Sequence, residues 1–507
     1  MKSSSRLIGV DAARGVALLG MITLHSLLEE TPSGNPTWSS HAFSGRAAAA
    51  FALMSGVGLT LATGRRQVPR SDARGMAAML ATRALAIGVI GLLVSGADTV
   101  LDSVILPYYA VVFLLAIPLL LLPTWALFTT GALLAGVVPF GMHLLLPHLA
   151  EPALGNPTFG RLIDDPLALL GELTLTGYYP APAWLAYICI GLAVGRLDLS
   201  SPRVAATLVA VGAVLAVWAH AITTVLLHLA GGLTAIRAAQ PASDLTPEET
   251  TYLLKFGGDG SAPTSTWWWM AVDGPHTGTP ANLVGTIGAT LAVLGLLLLL
   301  TTTRARLLLV PLAAAGSMTL TFYSVHVLFL NSDFDTYSPG TGCIVQLVAV
   351  VLIAMAVRAT AGRGPLEALV GSLARRARAL ALRSAAPQVV EGVPVLPRAR
   401  RPESAPPRDS RRPGGAVRFS RRSIRHRLRA GAPDSGAFDR STDPALPGDS
   451  VDRPTDGALP GQSVGRPTGR ASGDDSVGPP ADRALGGDSV GRPTDGADGA
   501  EPGGGGR

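Results

Sequence analysis

The chain opens with the apolar stretch Arg6-Leu-Ile-Gly-Val-Asp11-Ala-Ala-Arg14-Gly15-Val-Ala-Leu-Leu-Gly-Met-Ile-Thr-Leu-His25. About 20 helical residues cross a hydrocarbon core of about 30 Å, so this stretch can span a bilayer. It lacks a small-residue cleavage site, and we expect a retained helix and not a signal peptide. Asp11, Arg14 and His25 lie inside this span, and charges inside a span are costly enough to be functional candidates.

Nine further apolar segments follow the first. Together they predict an all-α fold, a polytopic membrane helix bundle of about ten transmembrane helices. Only the turn Pro123-Thr124 separates the fourth span from the fifth, so nine or eleven remain alternatives. No inverted repeat or Gly/Pro-broken helix pair stands out. The expected spans are 7–28, 45–63, 76–96, 104–121, 124–146, 182–196, 204–229, 281–302, 307–330 and 342–361.

Composition supports this class of protein. Hydrophobic residues make up 48% of the chain, although its last 120 or so residues contain almost no long apolar runs. A soluble domain cannot hide that much apolar surface, whereas a bilayer can. The net charge of +6 does not predict nucleic-acid binding. Most arginines lie in short loops or after residue 373, a distribution that indicates membrane orientation first.

The loop charges predict the topology. Lys2 and Arg6 precede the first span and favour a cytoplasmic N-terminus. The loops that this topology places inside carry most of the loop arginines. The segments predicted outside have only three lysine or arginine residues, Arg161, Arg237 and Lys255. An even number of spans follows, with both termini cytoplasmic in a cell membrane.

The sequence changes character after the last span, which predicts three regions. Residues 1–370 form the transmembrane domain. Residues 371–430 form an arginine-rich juxtamembrane segment, expected to contact anionic membrane lipid. Residues 431–507 form a disordered low-complexity tail in which Ser-Val recurs every 13 residues, a composition that cannot bury a core.

Several ionisable side chains are candidates for chemistry. Asp11 and Arg14 share a face of the first helix, and His25 returns to nearly that face ~16 Å further along the axis. A structural ion pair is the alternative for the first two. His41 and Arg46 follow at the outer mouth of the second span, where histidine can exchange protons near neutral pH.

A third histidine comes from the ninth span, Gly316-Ser-Met-Thr319-Leu-Thr-Phe-Tyr323-Ser-Val-His326. Residues 316, 319, 323 and 326 are expected on one helix face. His25, His41 and His326 are thus predicted at one depth. A three-histidine zinc site is an alternative, but no short-range ligand pair supports it, and we expect no metal.

The two long outer segments carry further candidates. His276 and Tyr179 are expected there, close enough to the surface to contact a substrate. The run Trp267-Trp268-Trp269 is most simply an interfacial aromatic belt. A sugar-stacking platform is the alternative.

The helix Asp11-x-x-Arg14-Gly15 ending at His25, followed by the His41 loop, resembles the heparan-α-glucosaminide N-acetyltransferase family. Gly177-Tyr-Tyr-Pro-Ala-Pro-Ala-Trp184, Gly195-Arg196-Leu-Asp198 and the His326 segment resemble the related bacterial YeiB-like membrane proteins. The likeness covers roughly residues 6–370.

The resemblance implies transfer of an acyl group, chiefly acetyl, from cytoplasmic acyl-CoA to an extracytoplasmic sugar or amine. It places His41 on the family's essential luminal histidine, and His25 where the family has asparagine. Catalysis would then use His41, His25 and His326. His41 would act as the general base or carry the acyl group transiently, and His25 would orient His41 or replace it as the base. The residues that would bind acyl-CoA are Arg14, Asp11 and Arg83.

Arg46, Tyr323, His276 and Tyr179 would contact the acceptor. The expected partners are membrane lipid, acyl-CoA and a glycan or amine, without nucleic acid, and a homodimer is kept as an alternative to a monomer. A transporter or flippase with an intramembrane proton relay, and a non-catalytic scaffold that acts through its tail, are the competing functions.

Overall fold

The computed structural model describes residues 7–101, 103–153, 155–243 and 245–384. Across them the regular structure is helical, which confirms the all-α class. The expectations for Lys2 and Arg6, and for the low-complexity tail and its repeats, lie outside the described residues.

The helices alternate between long apolar ones and short connecting ones. In the described ranges the α-helices are α1 (Ile8–Ser26), α2 (Trp38–Phe43), α3 (Arg46–Ala62), α4 (Ala73–Ala97), α5 (Leu106–Leu115), α6 (Thr124–Gly136), α7 (Val138–Leu145), α8 (Phe159–Asp164), α9 (Pro166–Gly171), α10 (Ala181–Gly195), α11 (Pro202–Thr224), α12 (Gly232–Ala239), α13 (Pro247–Phe256), α14 (Pro280–Leu300), α15 (Leu309–Gly316), α16 (Thr319–Leu330), α17 (Pro339–Thr360) and α18 (Pro365–Ser384).

The apolar helices make this a multi-pass membrane protein. Within the described chain, six helices are long and apolar enough to cross a membrane, and the number rises to nine if each of three bent pairs is one span. The segment Leu106–Leu121 is apolar but shorter. The predicted count of ten is therefore not confirmed, although the predicted segments coincide closely with these helices.

The expectation that no helix pair is broken was wrong. Bends of 41°, 55° and 79° separate α6 from α7, the segment Pro166–Thr176 from α10, and α15 from α16. Pro139 in the first turn of α7 explains the first break, because proline cannot donate to the preceding turn.

The 79° bend also corrects the predicted face of the ninth span. Helix α15 ends at Gly316 and α16 begins at Thr319. Gly316 therefore does not share a face with Tyr323 and His326. Thr319, Tyr323 and His326 all lie on α16.

Helix α1 lies at the centre of the bundle, against α3, α14, α15, α16 and α17. It crosses α15 at the glycines of both sequence motifs. A Cβ atom at Gly15 would overlap the carbonyl oxygen of Leu312, and one at Gly316 would overlap that of Asp11. Small residues allow membrane helices to approach this closely, so the two glycines set the position of α1.

Residues between α11 and α14 form a small second core. Trp269 is 1% exposed there, packs with Ile236 and Val272, and donates its indole N–H to Ser265 Oγ at 3.1 Å. Trp267 is 50% exposed. The tryptophan run is thus not a uniform interfacial belt, because one of its rings is core.

Helix α18 packs along α4, where Arg378 lies 3.9 Å from Asp72. The boundary predicted at residues 370 and 371 falls inside this helix. The remainder of the predicted arginine-rich segment, from residue 385, lies outside the described residues.

Candidate active site

A cavity of about 500 Å³ lies beside the N-terminal half of α1, between α3, α4, α5, α16 and α18. We call it the arginine cavity. Its lining comprises Arg14, Met21, Phe51, Ser55, Ala62, Arg83, Ile87, Ile105, Leu106, Tyr109, Phe113, Ser317, Thr319, Leu320, Tyr323, Arg363, Glu367, Val370, Gly371 and Arg375.

Four arginines and one glutamate supply the charge of this lining. The carboxylate of Glu367 is already engaged, because it accepts hydrogen bonds from the backbone N–H groups of Leu320 and Thr321 at 2.8 and 3.1 Å and from the Thr321 hydroxyl at 2.6 Å. By contrast, the buried Nε atoms of Arg14 and Arg83 have no hydrogen-bond partner within the described chain. The cavity is therefore an electropositive site with donors available to an anion.

Asp11 is not among the residues that line this cavity. Ion pairs of the described chain include Arg161–Glu172, His220–Asp273 and Arg378–Asp72. Arg14 lines the cavity, and Arg83 lies 5.9 Å from the centroid of the Phe113 ring, which steadies its guanidinium.

The lining of the arginine cavity extends along α1 and α16 toward two histidines. Met21 and Tyr323 belong to this part of the lining, and the Tyr323 hydroxyl accepts the backbone N–H of Ile105 at 3.3 Å. Met21 precedes His25 by one helical turn, and Tyr323 precedes His326 by about one turn. The cavity thus ends about one turn short of both imidazoles.

His25 and His326 contact each other directly, and we call them the histidine pair. Nδ1 of His25 lies 3.2 Å from Nε2 of His326. The rings are stacked with centroids 5.4 Å apart and planes 11° apart. Of the three histidines predicted at one depth, the structure brings these two together.

Gln346 on α17 completes this arrangement, and sequence reasoning missed it. Its Oε1 lies 2.6 Å from Nδ1 of His326, and its Nε2 donates to Ser26 Oγ at 3.3 Å. Both Gln346 and His326 are buried. The available signal was one amide in the otherwise apolar span 342–361, because a buried amide needs polar partners.

His41 lies apart from the histidine pair. It sits on the short helix α2 and is exposed. Its backbone carbonyl accepts a hydrogen bond from the Arg46 guanidinium at 2.5 Å. These two residues therefore form a surface feature at the end of the bundle that carries His25.

His276 and Tyr179 contact each other. Their ring centroids are 5.6 Å apart, and the Tyr179 hydroxyl donates to the Ser103 carbonyl at 3.1 Å. His276 is close enough to His25 for an electrostatic interaction. Burial lowers the pKa of His276 to about 4, so its ring is neutral at pH 7.

A polar network that sequence reasoning did not predict joins the loops at the His25 end. Asp98 accepts hydrogen bonds from the amides of Asn156 and Asn331 at 2.8 and 2.7 Å. Nearby, Arg161 pairs with the buried carboxylate of Glu172. Buried charges persist when they are paired and hydrogen-bonded, and these contacts connect the loops that carry Asp98, Asn156 and Asn331.

No group of three His, Cys, Asp or Glu side chains in the described ranges is arranged to hold a metal ion. In the histidine pair the imidazoles hydrogen-bond to each other. This contact allows a proton to pass between the two rings.

A comparison with known protein families finds a match that includes several of these site residues. Residues 6–228 match the family model described as heparan-alpha-glucosaminide N-acetyltransferase, catalytic. No curated protein matches the chain significantly. The matched region contains Arg14, His25, His41 and Arg83, and ends before His276 and His326. The resemblance predicted from the sequence is thus confirmed: over residues 6–228 the chain is similar to the catalytic domain of heparan-alpha-glucosaminide N-acetyltransferases.

Proposed function

We propose that this protein is a membrane acyltransferase that moves a short acyl group, chiefly acetyl, from cytoplasmic acyl-CoA to an extracytoplasmic amine or sugar. One observation carries the proposal: the electropositive arginine cavity ends about one helical turn from a pair of hydrogen-bonded histidines. A polyanionic donor and a proton acceptor thereby come within reach of each other.

The proposed orientation places the Arg14 end of the bundle at the cytoplasmic face and the His25 end outside. The alternation of arginines between loops supports it. In this topology Leu106–Leu121 crosses as a tenth, short span, and both termini are cytoplasmic. The bends between paired helices help short segments to satisfy their backbone groups within the bundle.

The positive charge of the arginine cavity supports coenzyme A as its proposed ligand. Arg14, Arg83, Arg363 and Arg375 would bind its phosphates, since guanidinium groups pair well with phosphate oxygens. The pantetheine arm would extend along α1, past Met21. This places the thioester near the histidine pair and leaves the polar nucleotide on the cytoplasmic side.

The histidine pair supplies the base in the proposed reaction. Nε2 of His25 takes a proton from the acceptor amine or hydroxyl as that atom attacks the thioester carbonyl carbon. The new N–C or O–C bond forms, the C–S bond breaks, and the proton passes to the leaving thiolate. Free coenzyme A and the acylated acceptor are the products.

His41, Arg46, His276 and Tyr179 form the acceptor side of the proposal. His41 and Arg46 are exposed at the His25 end, and His276 contacts Tyr179. The family resemblance also permits His41 to act as the base in place of His25, so the two histidines must be tested separately.

Purified full-length protein with radiolabelled acetyl-CoA and a panel of hexosamines and amines tests the activity. We expect label in an acceptor together with one free coenzyme A thiol per transfer. Proteoliposomes with acetyl-CoA added to one side only test the direction. No transfer to any acceptor, from either side, would refute the proposal.

The broken helices favour one second candidate, a transporter or flippase. Bent spans at membrane depth line substrate paths in many transporters, and three bent helix pairs occur within the described part of this chain. Proton-coupled uptake into proteoliposomes in the absence of acyl-CoA would support transport. Uptake that requires acetyl-CoA hydrolysis or transfer would instead support the acyltransferase.

A further inference from the structure

The amide of Gln346 determines which nitrogen of each paired histidine can carry a proton. Its Oε1 faces Nδ1 of His326 at 2.6 Å. An amide oxygen only accepts hydrogen bonds. Nδ1 of His326 must therefore bear the hydrogen, and in the neutral ring Nε2 of His326 carries the lone pair.

The same reasoning passes to the second ring. Nε2 of His326 lies 3.2 Å from Nδ1 of His25. Because Nε2 of His326 accepts, Nδ1 of His25 must donate. A neutral imidazole has one N–H and one lone pair, so the lone pair of His25 lies on Nε2, which neither hydrogen bond uses.

The other end of the amide is consistent with this direction. Nε2 of Gln346 donates to Ser26 Oγ at 3.3 Å, so both functions of the amide are used. Ser26 follows His25 directly on α1, whereas His326 lies on α16. One side chain of α17 thus links the two helices that carry the histidine pair.

We infer that Gln346 is a positioning residue that, through His326, sets His25 in the tautomer whose Nε2 is the base. The chemical meaning of this inference rests on the proposed acyl transfer, whereas the tautomers themselves do not. A proton gained at Nε2 makes His25 cationic while its Nδ1–H remains bonded to His326. His276 is the other titratable group that interacts with His25, and its ring is neutral at pH 7.

Histidine ¹⁵N NMR on full-length protein in lipid nanodiscs tests the tautomers directly. Signals are assigned with the variants His25→Asn and His326→Asn. At pH 7.5 we expect hydrogen on Nδ1 and a lone pair on Nε2 in both rings. Hydrogen on Nε2 of His25 would mean that Gln346 donates instead of accepting, and would overturn the inference whether or not transfer is observed.

Two substitutions test the role in turnover. Gln346→Glu can only accept, so it preserves the direction of the chain. We expect it to retain transfer and to move the acid limb of the pH–rate profile to higher pH by about one unit, because a carboxylate stabilises the imidazolium. Gln346→Leu removes the acceptor and should lower kcat at least about 10-fold with unchanged KM for acetyl-CoA.

Cys343→Ala is the matched control, because Cys343 is a buried residue one turn earlier on α17. This variant should leave both the NMR pattern and the pH–rate profile unchanged. Equal losses in the glutamate and leucine variants would reduce Gln346 to a packing role. If the wild-type protein transfers nothing, the proposed function fails, and the NMR result still decides the tautomers.

Discussion

The arginine cavity and the histidine pair lie along the same helix but are built in opposite ways. The cavity encloses about 500 Å³, and the Nε atoms of two of its arginines have no partner in the described chain. The histidine pair is close-packed. The two rings hydrogen-bond to each other, and Gln346 hydrogen-bonds the ring of His326. The volume of the cavity and the arginine Nε donors that are unpaired in the described chain suit the binding of a large anion. Proton transfer, by contrast, requires fixed geometry. Binding and chemistry are thus expected to be separable by mutation.

The largest effect should come from the histidine pair. We expect His25→Ala to lower kcat for acetyl transfer by about 100-fold or more, because a general base contributes about 10² to 10⁴ in rate. KM for acetyl-CoA should change little. His220→Ala is the control, since the His220 side chain on α11 is 77% exposed and pairs with Asp273. A kcat equal to that of the control would exclude His25 as the base.

The arginine cavity should show the reverse pattern. Arg83→Gln and Arg14→Gln should each raise KM for acetyl-CoA by about 10-fold, the equivalent of roughly 1.4 kcal/mol, with kcat largely retained. A short thioester without the nucleotide should be used equally well by the variants and the wild type. Arg304→Gln, in a loop before α15, serves as the control. An equal loss with the short thioester would place these arginines outside phosphate binding.

His41 should have a smaller effect than His25. His41→Ala is expected to raise KM for the acceptor several-fold and to preserve kcat, because His41 is exposed and lies apart from the histidine pair. Steady-state kinetics with the acceptor varied at saturating acetyl-CoA measures both constants. Loss of kcat in this variant, with activity retained in His25→Ala, would transfer the role of base to His41.

The smallest effect concerns stability and pH. The pKa of His276 falls from 6.5 to about 4 on folding because the ring is buried. The unfolded chain therefore binds the proton more readily, so this contribution is present above pH 6.5 and is lost as pH falls through 4. Between pH 7 and 4.5 the wild type should lose more thermal stability than His276→Asn. Asparagine also suits the positive φ of 55° at this position. Identical losses in both proteins would contradict the assignment.

Local sequence predicted the segments better than their bends. The break before α16 contains no proline, and α16 begins where Glu367, 46 residues later, accepts the N–H groups of Leu320 and Thr321. A cap supplied from a distant helix leaves no local signature. The break at Pro139 did have a local signal, which the long apolar run obscured.

The candidate site shows the same division. Arg14 and Arg83 were predicted as one group, and the structure places both on the arginine cavity. His25 and His326 were predicted at one depth, which follows from helix rise alone. The contact between them, the separate position of His41 and the part of Gln346 depend on helix rotation and packing, which apolar periodicity does not specify.

The sequence by itself determined that this protein is a membrane helix bundle, because apolar length and arginine placement are properties of single segments that act against the bilayer. It also identified the ionisable groups inside the spans, which are functional candidates because a charge is costly to bury in a membrane. Only the tertiary structure decided which of them meet. Gly15 and Gly316 let α1 and α15 cross closely, and α16 then turns by 79°. His326 thereby comes to lie 3.2 Å from His25, because contacts between helices far apart in the chain follow from packing and capping.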